Sequence, residues 1–374
     1  MNFVISSSEF LGYLQSVGRV INAKNTLPIL DNYLFQIKNK DLTITASDLE
    51  STLITKIKLE NCEGEGNVAV PSKILNDALK EFPDQPLTFN VDIEKLNLEI
   101  SSETGKYVIP CQNAVDFPKV PSLTNEAKKI TLNNDVVLNG INKALFATAD
   151  DELRPVMNGI YIEIYKDNVT FAASDSHKLV RYRRTDFKSE FESSFILPKK
   201  PASLLRNILP KEEKEIVLEF DEKNALVTTS NYKLVCRLTE GNYPNYNSVI
   251  PTDNQNKLIV DRIELYNTLR RVSLFSSQSS NLVKLSLSGN QITISAQDID
   301  FAVSGVERLN CQYDGEEMEI GFKSTFLMEI LSNLPSSEIV MELSDPARAG
   351  LLLPFESEVE DEDILMLLMP MMIN

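Results

Sequence analysis

Apolar positions along this chain follow two periods in turn. Phe3 and Ile5 alternate with polar neighbours and predict a strand, after which Phe10, Leu14 and Val17, with Ile21, fall at helical spacing. The helical spacing returns at Val137, Ile141, Ala144 and Leu145, and again at Leu265, Leu269 and Val272. Ser7, Asn134 and Asp261 stand where an N-cap is expected. Downstream of each helix a strand pattern, at 42–46, 169–173 and 292–296, runs into an aspartate: Asp48, Asp175 and Asp298. A second helix follows each time, through Ile74, Leu75, Ala78, Leu79 and Phe82, then Leu204, Leu205, Ile208 and Leu209, then Phe326, Leu327, Ile330, Leu331 and Leu334. All three stop at a proline, Pro83, Pro210 or Pro335, which lacks the N–H that a helix needs and restricts the residue before it. Each also has lysine near its first turn, at Lys73, Lys199 and Lys323.

One pattern is therefore written three times, with a period of about 125 residues. Further strands, at 87–90, 96–100 and 106–110 in the first copy, make each repeat an α+β unit. Turn formers gather at 116–121 and 241–251, so domains are expected at 1–125, 126–252 and 253–374, joined by short, stiff linkers.

Composition narrows the chemistry. The 374 residues are 43% apolar and 24% charged, which excludes a disordered chain. No apolar run approaches the roughly 20 residues that span a bilayer. Residues 1–8 show none of the segments of a secretory leader, so a cytoplasmic protein is expected. Cys62, Cys111, Cys236 and Cys311 lie far apart and read as reduced thiols, and the single histidine, His177, excludes sites that need two imidazoles. No metal and no cofactor is expected. The net charge of −17 at first sight disfavours a polyanionic partner. It is uneven, however: 11 basic against 16 acidic groups in 1–125, 18 against 18 in 126–252, and 8 against 20 in 253–374. A basic surface outside the last third is compatible with that distribution.

Four local motifs invite chemistry. Ser174, Asp175, Ser176 and His177 set a nucleophile, a carboxylate and an imidazole side by side. Neighbours on a strand face opposite ways and a catalytic triad is assembled from distant segments, so a strand-to-turn rim is expected instead. Gly64 and Gly66 fit a loose dinucleotide fingerprint but lead into a strand at 68–70, which predicts a hairpin turn. The acidic run Glu356, Glu358, Glu360, Asp361, Glu362 and Asp363 reads as a solvated loop. The end of the chain, with Met366, Met369, Met371 and Met372 around Pro370, reads as a last core strand, as an adaptable apolar pocket for partner peptides, or as both. Basic residues also recur on or beside the predicted helices: Arg19, Lys24, Lys73 and Lys80, then Lys143, Arg154, Lys199, Lys200 and Arg206, then Arg270, Arg271 and Lys323. They form either solvated helix faces or a surface that tracks phosphates without reading sequence.

Residues 26–30 (TLPIL), 116–118 (DFP), 173–179 (ASDSHKL), 317–322 (EMEIGF) and 369–371 (MPM), in this order over essentially the whole chain, resemble the bacterial DNA polymerase III beta subunit, the replicative sliding clamp. The resemblance implies three similar DNA-clamp domains per chain and a head-to-tail homodimer closed into a ring, helices inside and sheets outside. Six touching domains of about 35 Å leave a hole of roughly 35 Å that admits a duplex, whereas three leave only about 5 Å. It implies a non-catalytic processivity factor that encircles double-stranded DNA irrespective of sequence. The implied partners are the DNA polymerase III alpha subunit, the clamp loader, and other clamp-binding polymerases and repair proteins.

By the same resemblance Lys24, Lys73, Lys80, Arg154, Lys199, Arg206 and Lys323 are DNA-contacting. The partner-peptide pocket maps to Met157, Ser174, Ser176, His177, Lys178, Leu179, Pro244, Val249, Leu367, Leu368, Met369, Pro370, Met371 and Met372. Dimer contacts pair Tyr107 and Ile109 with Leu274 and Phe275. The chain departs from the family pattern at Ser176, where glycine is frequent, and at Ser248 and Met372, where arginine is, which implies a greasier, less charged pocket. Two other classes stay open: a peptide-binding scaffold that does not encircle DNA, and a hydrolase using Ser174 or Ser176 with His177.

Overall fold

The computed structural model describes residues 1–357 and 359–373; Glu358 of the acidic run lies outside the described residues. Its six α-helices are α1 (Ser7–Gly18), α2 (Ser72–Lys80), α3 (Asn134–Ala144), α4 (Lys199–Ile208), α5 (Arg262–Val272) and α6 (Ser324–Asn333). All six fall where the apolar spacing predicts, although Ile21, Phe82, Leu145, Leu209 and Leu334 lie beyond the ends of α1, α2, α3, α4 and α6. None is long and apolar enough to cross a membrane.

The caps differ in two repeats of three. Asp261 caps α5 as expected, accepting the Glu264 N–H at 2.7 Å. At α1, however, Ser6 takes the Glu9 N–H, and before α3 Asn133 accepts the Asp135 N–H at 2.9 Å. Ser7 and Asn134 are turned inward because they have another partner. The first residue of α1, α3 and α5 donates its backbone N–H to the turn that follows the second helix of its repeat: Ser7 to Gln85 (2.9 Å), Asn134 to Lys214 (2.7 Å), Arg262 to Ser337 (2.9 Å). The side chains reach the same turns, Ser7 Oγ to the Pro83 carbonyl (2.7 Å), Asn134 Nδ2 to that of Leu209 (2.8 Å) and Arg262 Nε to that of Ser336 (2.7 Å). Each contact satisfies a donor at a helix start that would otherwise lack a partner, and ties the two helices of a repeat together.

The chain folds into two compact units, Met1–Leu138 with Ser203–Leu238, and Asn139–Ala202 with Thr239–Asn374, so it passes from one to the other three times, within α3, within α4 and after Leu238. In the first unit a five-stranded antiparallel sheet runs Cys62–Glu63, Asn2–Ser6, Pro86–Asp92, Asn97–Ser101, Lys106–Pro110. An eight-stranded one runs Lys128–Asn133, Glu215–Phe220, Asn224–Thr228, Tyr232–Arg237, Ser51–Lys58, Asp41–Ser47, Asn32–Lys38, Gly66–Pro71. The rings of Phe3, Phe10 and Phe89 meet at 4.9 to 5.9 Å, and the Tyr33 hydroxyl donates to the Leu14 carbonyl of α1. The Gly64–Gly66 turn is not a hairpin: Cys62–Glu63 belongs to one sheet and Gly66–Pro71 to the other, so here the chain changes sheets, with Gly64 at φ 79°.

The second unit has a nine-stranded sheet, Ser193–Pro198, Gly159–Ile164, Val169–Ser174, Lys178–Arg184, Glu362–Leu368, Gly350–Pro354, Glu338–Leu343, Asn256–Asp261, Gln312–Asp314. Its four-stranded sheet runs Val303–Asn310, Gln291–Asp298, Leu282–Ser288, Met318–Lys323. The compact units thus follow other lines than the sequence repeats. Tyr232 pairs with Thr55, and Lys178 with Leu368, so the larger sheet of each unit runs through two repeats. Strands that a separate domain would leave as open edges are paired instead. The joins are held down too: Phe117 is buried with Ile29, Leu30 and Ala69, which brings two of the family-like motifs into one cluster.

Candidate functional site

The three repeated aspartates share one job. Asp48 Oδ1 accepts the N–H groups of Glu50 and Ser51, Asp175 Oδ1 those of His177 and Lys178, and Asp298 Oδ1 those of Asp300 and Phe301. They are side-chain-closed turns at hairpin tips. In two repeats a neighbouring chain segment docks on the tip: Arg237 N–H bonds to the Glu50 carbonyl, and Met369 N–H to the His177 carbonyl, both at 2.8 Å. The second of these tips carries the candidate pocket residues. Ser176 holds φ 77°, a left-handed conformation that a glycine adopts without strain, which supplies a physical reason for glycine there in the family pattern.

Below the tip, Leu179 and Leu367 are buried in one apolar cluster with Ala172, Tyr246, Ala349, Leu351 and Leu365, and Tyr161, Tyr243, Ile250 and Leu353 pack against it. Pro244 and Val249 ride on the segment that these tyrosines anchor. Tyr161 and Tyr243 stack at 4.8 Å, and the Tyr246 hydroxyl donates a short hydrogen bond to the buried Glu163 carboxylate. Tyr165 donates to the other carboxylate oxygen at 2.7 Å; that bond, with burial, pushes its phenol up to about 12. Met157 is buried, its sulfur 3.9 Å from Ser176 Oγ. Leu368 is buried opposite Lys178, whereas Met369 and Met372 are exposed, 42% and 78%. The last segment is therefore both a core strand, up to Leu368, and an exposed methionine-rich end.

Lys178 is the buried cation at the tip. Its Nζ lies 2.7 Å from Asp175, 3.1 Å from Glu329 and 4.2 Å from the centre of the Phe326 ring. His177 stacks on the same ring at 5.7 Å, and Lys323 Nζ stands 4.5 Å from it. Sequence reasoning missed Phe326 and Glu329 as site residues. Helical spacing assigned Phe326 to the apolar face of its helix and did not single out Glu329; no local signal marks either. Arg154 donates to Asp151 at 2.8 Å and to Ser176 Oγ at 2.7 Å, and Lys199 pairs with Asp150 at 2.8 Å. Both line, with His177, Lys178 and Glu329, a polar cleft of about 540 Å³.

Ser174 Oγ donates to the Lys178 carbonyl at 2.8 Å, and among the described residues no hydrogen bond joins the His177 ring to Ser174 or Ser176. A base in contact with its nucleophile, which a hydrolase needs, is not assembled here. The thiols fare likewise: burial pushes Cys111 up to about 11 and Cys236 up to about 12, far from a reactive thiolate.

Of the remaining basic candidates, Lys73 and Lys80 lie on the exposed face of α2 opposite buried Leu75 and Leu79, with Lys80 3.1 Å from Asp77. Arg206 is exposed in the last turn of α4, and Lys24 is exposed in the turn after α1. For the expected dimer contacts, Lys106–Pro110 and Val303–Asn310 each form the open edge of a sheet. Tyr107 is half exposed against Phe82, and Leu274 and Phe275 are exposed after α5. Ile109 does not present its side chain: it is 3% exposed and faces its own sheet's core, and Val108, 62% exposed, is the side chain turned outward on that edge.

Three tandem α+β repeats with shared sheets, and a hairpin tip on which the chain's last segment docks, define a repeat-built protein with one candidate binding site. Family models for the DNA polymerase III beta subunit match in succession: the N-terminal domain over residues 1–121, the central domain over 131–245 and the C-terminal domain over 247–372. The beta sliding clamp of Pseudomonas putida is 25% identical over 376 residues, covering 99% of this chain and 100% of the relative. That of a Synechocystis strain is 28% identical, covering 92% and 93%. Among solved structures, a sliding clamp from Bartonella birtlesii bound to griselimycin is 27% identical with TM-score 0.91, and one from Pseudomonas aeruginosa is 24% identical with TM-score 0.93, both chains covered in full. The chain belongs to the DNA polymerase III beta subunit family, and its α+β fold is three clamp domains in series.

Proposed function

We propose that this protein is a non-catalytic sliding clamp that encircles duplex DNA and tethers the replicative polymerase to it. The carrying observation is the succession of all three clamp domains along one chain, in family order. The domains are taken as 1–125, 126–252 and 253–374. Two chains close head to tail, the open edge of Lys106–Pro110 in one against the open edge of Val303–Asn310 in the other, with Tyr107 and Val108 meeting Leu274 and Phe275. Strand addition at both junctions satisfies backbone groups that each chain leaves unpaired.

A closed ring cannot leave DNA sideways, so weak phosphate contacts from Lys24, Lys73, Lys80, Lys199, Arg206 and Lys323 suffice to centre it without halting it. Arg154, tied to Ser176, is assigned to the mouth of the peptide pocket instead. That pocket, from His177 and Leu179 to Met369–Met372, takes peptides of the polymerase alpha subunit, the clamp loader and other clamp-binding proteins. Exposed thioethers suit a surface that receives several partners in turn. The protein acts in the cytoplasm, where replication takes place.

The test is retention on nicked circular duplex after loading, followed by linearisation at fixed salt. Release on linearisation is expected. Retention that linearisation does not change, or no retention despite a competent loader, overturns encirclement and favours a peptide scaffold.

A further inference from the structure

We propose that Gly321 is the receptor for the C-terminal tail and, through it, a positioning residue for the peptide pocket; the inference rests on the pocket reading above. The tail is pinned at two points. Met369 donates its N–H to the His177 carbonyl, and two residues on Met371 donates to the Gly321 carbonyl, each at 2.8 Å. Pro370 between them has a fixed φ and no N–H to offer elsewhere. Gly321 and Met371 form a single antiparallel bridge, so the tail adds one rung to the edge of the four-stranded sheet and no more.

Gly321 is buried in the strand Met318–Lys323, and its φ is not among the positive values that would favour glycine for backbone reasons. What requires glycine is proximity. A Cβ there would stand 2.9 Å from the Met371 carbonyl oxygen, 3.0 Å from Ile373 Cγ1 and 2.9 Å from Leu282 Cδ1. The leucine methyl is the end of a flexible side chain and can turn aside. The Met371 oxygen is backbone, so the tail itself must move. Through Met372 and Ile373 the tail also lines a cleft of about 640 Å³ with Ser277, Ser280, Leu282 and Gln297. Gly321 thus fixes where the tail stands, at the His177 tip on one side and at this cleft on the other.

The experiment uses the full chain, its Gly321→Ala and Gly321→Val variants, a chain lacking residues 371–374, and a His177→Ala control. Methionine methyl NMR reads the tail, and calorimetry reads binding of griselimycin, the ligand in the Bartonella birtlesii clamp structure, with His177→Ala showing whether it sits in the pocket. The methyl signals of Met371 and Met372 are expected to shift and sharpen, more in Gly321→Val than in Gly321→Ala, while that of buried Met341 stays in place. Griselimycin binding is expected to weaken roughly fivefold, the worth of one net backbone hydrogen bond, and Gly321→Ala is expected to add nothing in the shortened chain. Unchanged tail signals, or the same loss with and without the tail, overturn the proposal. If the tail signals respond but neither His177→Ala nor the shortened chain alters griselimycin binding, or the parent chain does not bind it, the pocket reading falls and the positioning role with it.

Discussion

Replacing Lys178 by methionine keeps the length of the side chain and removes its charge, which isolates what the ammonium contributes. Its bond to Asp175 is charge-assisted and buried, worth about 1.5–3 kcal/mol. The contact with the Phe326 ring adds about 0.5–1 kcal/mol. Glu329, with 48% of its side chain exposed, returns to water on losing its partner and contributes little. Asp175 keeps the N–H groups of residues 177 and 178, so no buried charge is orphaned and the cost stays below the roughly 3–5 kcal/mol of a fully broken buried pair. The expected loss is about 2–3 kcal/mol. Urea unfolding followed by circular dichroism measures it, as a lower midpoint at unchanged slope. Double-mutant cycles with Asp175→Asn and Glu329→Gln should return a coupling above about 1 kcal/mol for the first and below about 0.5 for the second. A total loss under about 0.5 kcal/mol, or a larger coupling to Glu329 than to Asp175, would refute the reasoning.

Three further expectations concern other parts of the chain. Ser176→Gly relieves the left-handed strain but gives up the hydrogen bond from Arg154, so it should stabilise by up to about 1 kcal/mol in an Arg154→Ala background and by less in the parent; equal effects in both backgrounds contradict the account. Burial alone would raise the Glu212 carboxyl, but donors from Ser230, Thr229 and Asn231 outweigh it and hold the group below its ordinary value. Its stabilising contribution is therefore present above the ordinary 4.5 and lost as pH falls below it. Glu212→Gln should flatten the decline of the urea midpoint between about pH 5 and pH 3, and parallel curves for the two proteins would count against the assignment. Val108→Asp places a charge on the open edge of Lys106–Pro110 and should convert the dimer to monomers in sedimentation while leaving the thermal midpoint within a few degrees, whereas Ile109→Asp should unfold its own sheet.

Local physics was legible in the sequence, and long-range pairing was not. Apolar spacing located α1 to α6 because each helix buries one stripe, and the aspartates at 48, 175 and 298 stood out as a repeated strand ending, though their work in closing the hairpin tips is seen only in the fold. Tyr232 against Thr55 is another matter: nothing in either strand names a partner some 180 residues away, so the sheet that two repeats share could not be read from the chain. The Gly64–Gly66 turn misled for the same reason, since a hairpin and a change of sheet need the same two glycines. Ser7 and Asn134 were read as caps because their chemistry suits capping, and the turns that claim them lie about 75 residues downstream. At the candidate site, the tip from Ser174 to Leu179 stood out as a motif. Phe326 and Glu329, which hold that tip from α6, did not, since cation, ring and carboxylate meet only in the folded chain.

The tie between the start of the first helix and the turn after the second has a consequence for rebuilding these repeats. The backbone hydrogen bond is common to all three, while the side chain that reinforces it is a serine, an asparagine or an arginine, each cut to the depth of its own turn. Helices are therefore not interchangeable parts. A chimaera that moves α5 into the first repeat imports a guanidinium where Pro83 offers room for a hydroxyl, and one that moves α1 into the third leaves the Leu331 and Ser336 carbonyls unanswered. The smallest transferable piece is the helix start together with its distant turn, a module that is contiguous in space and split in the chain.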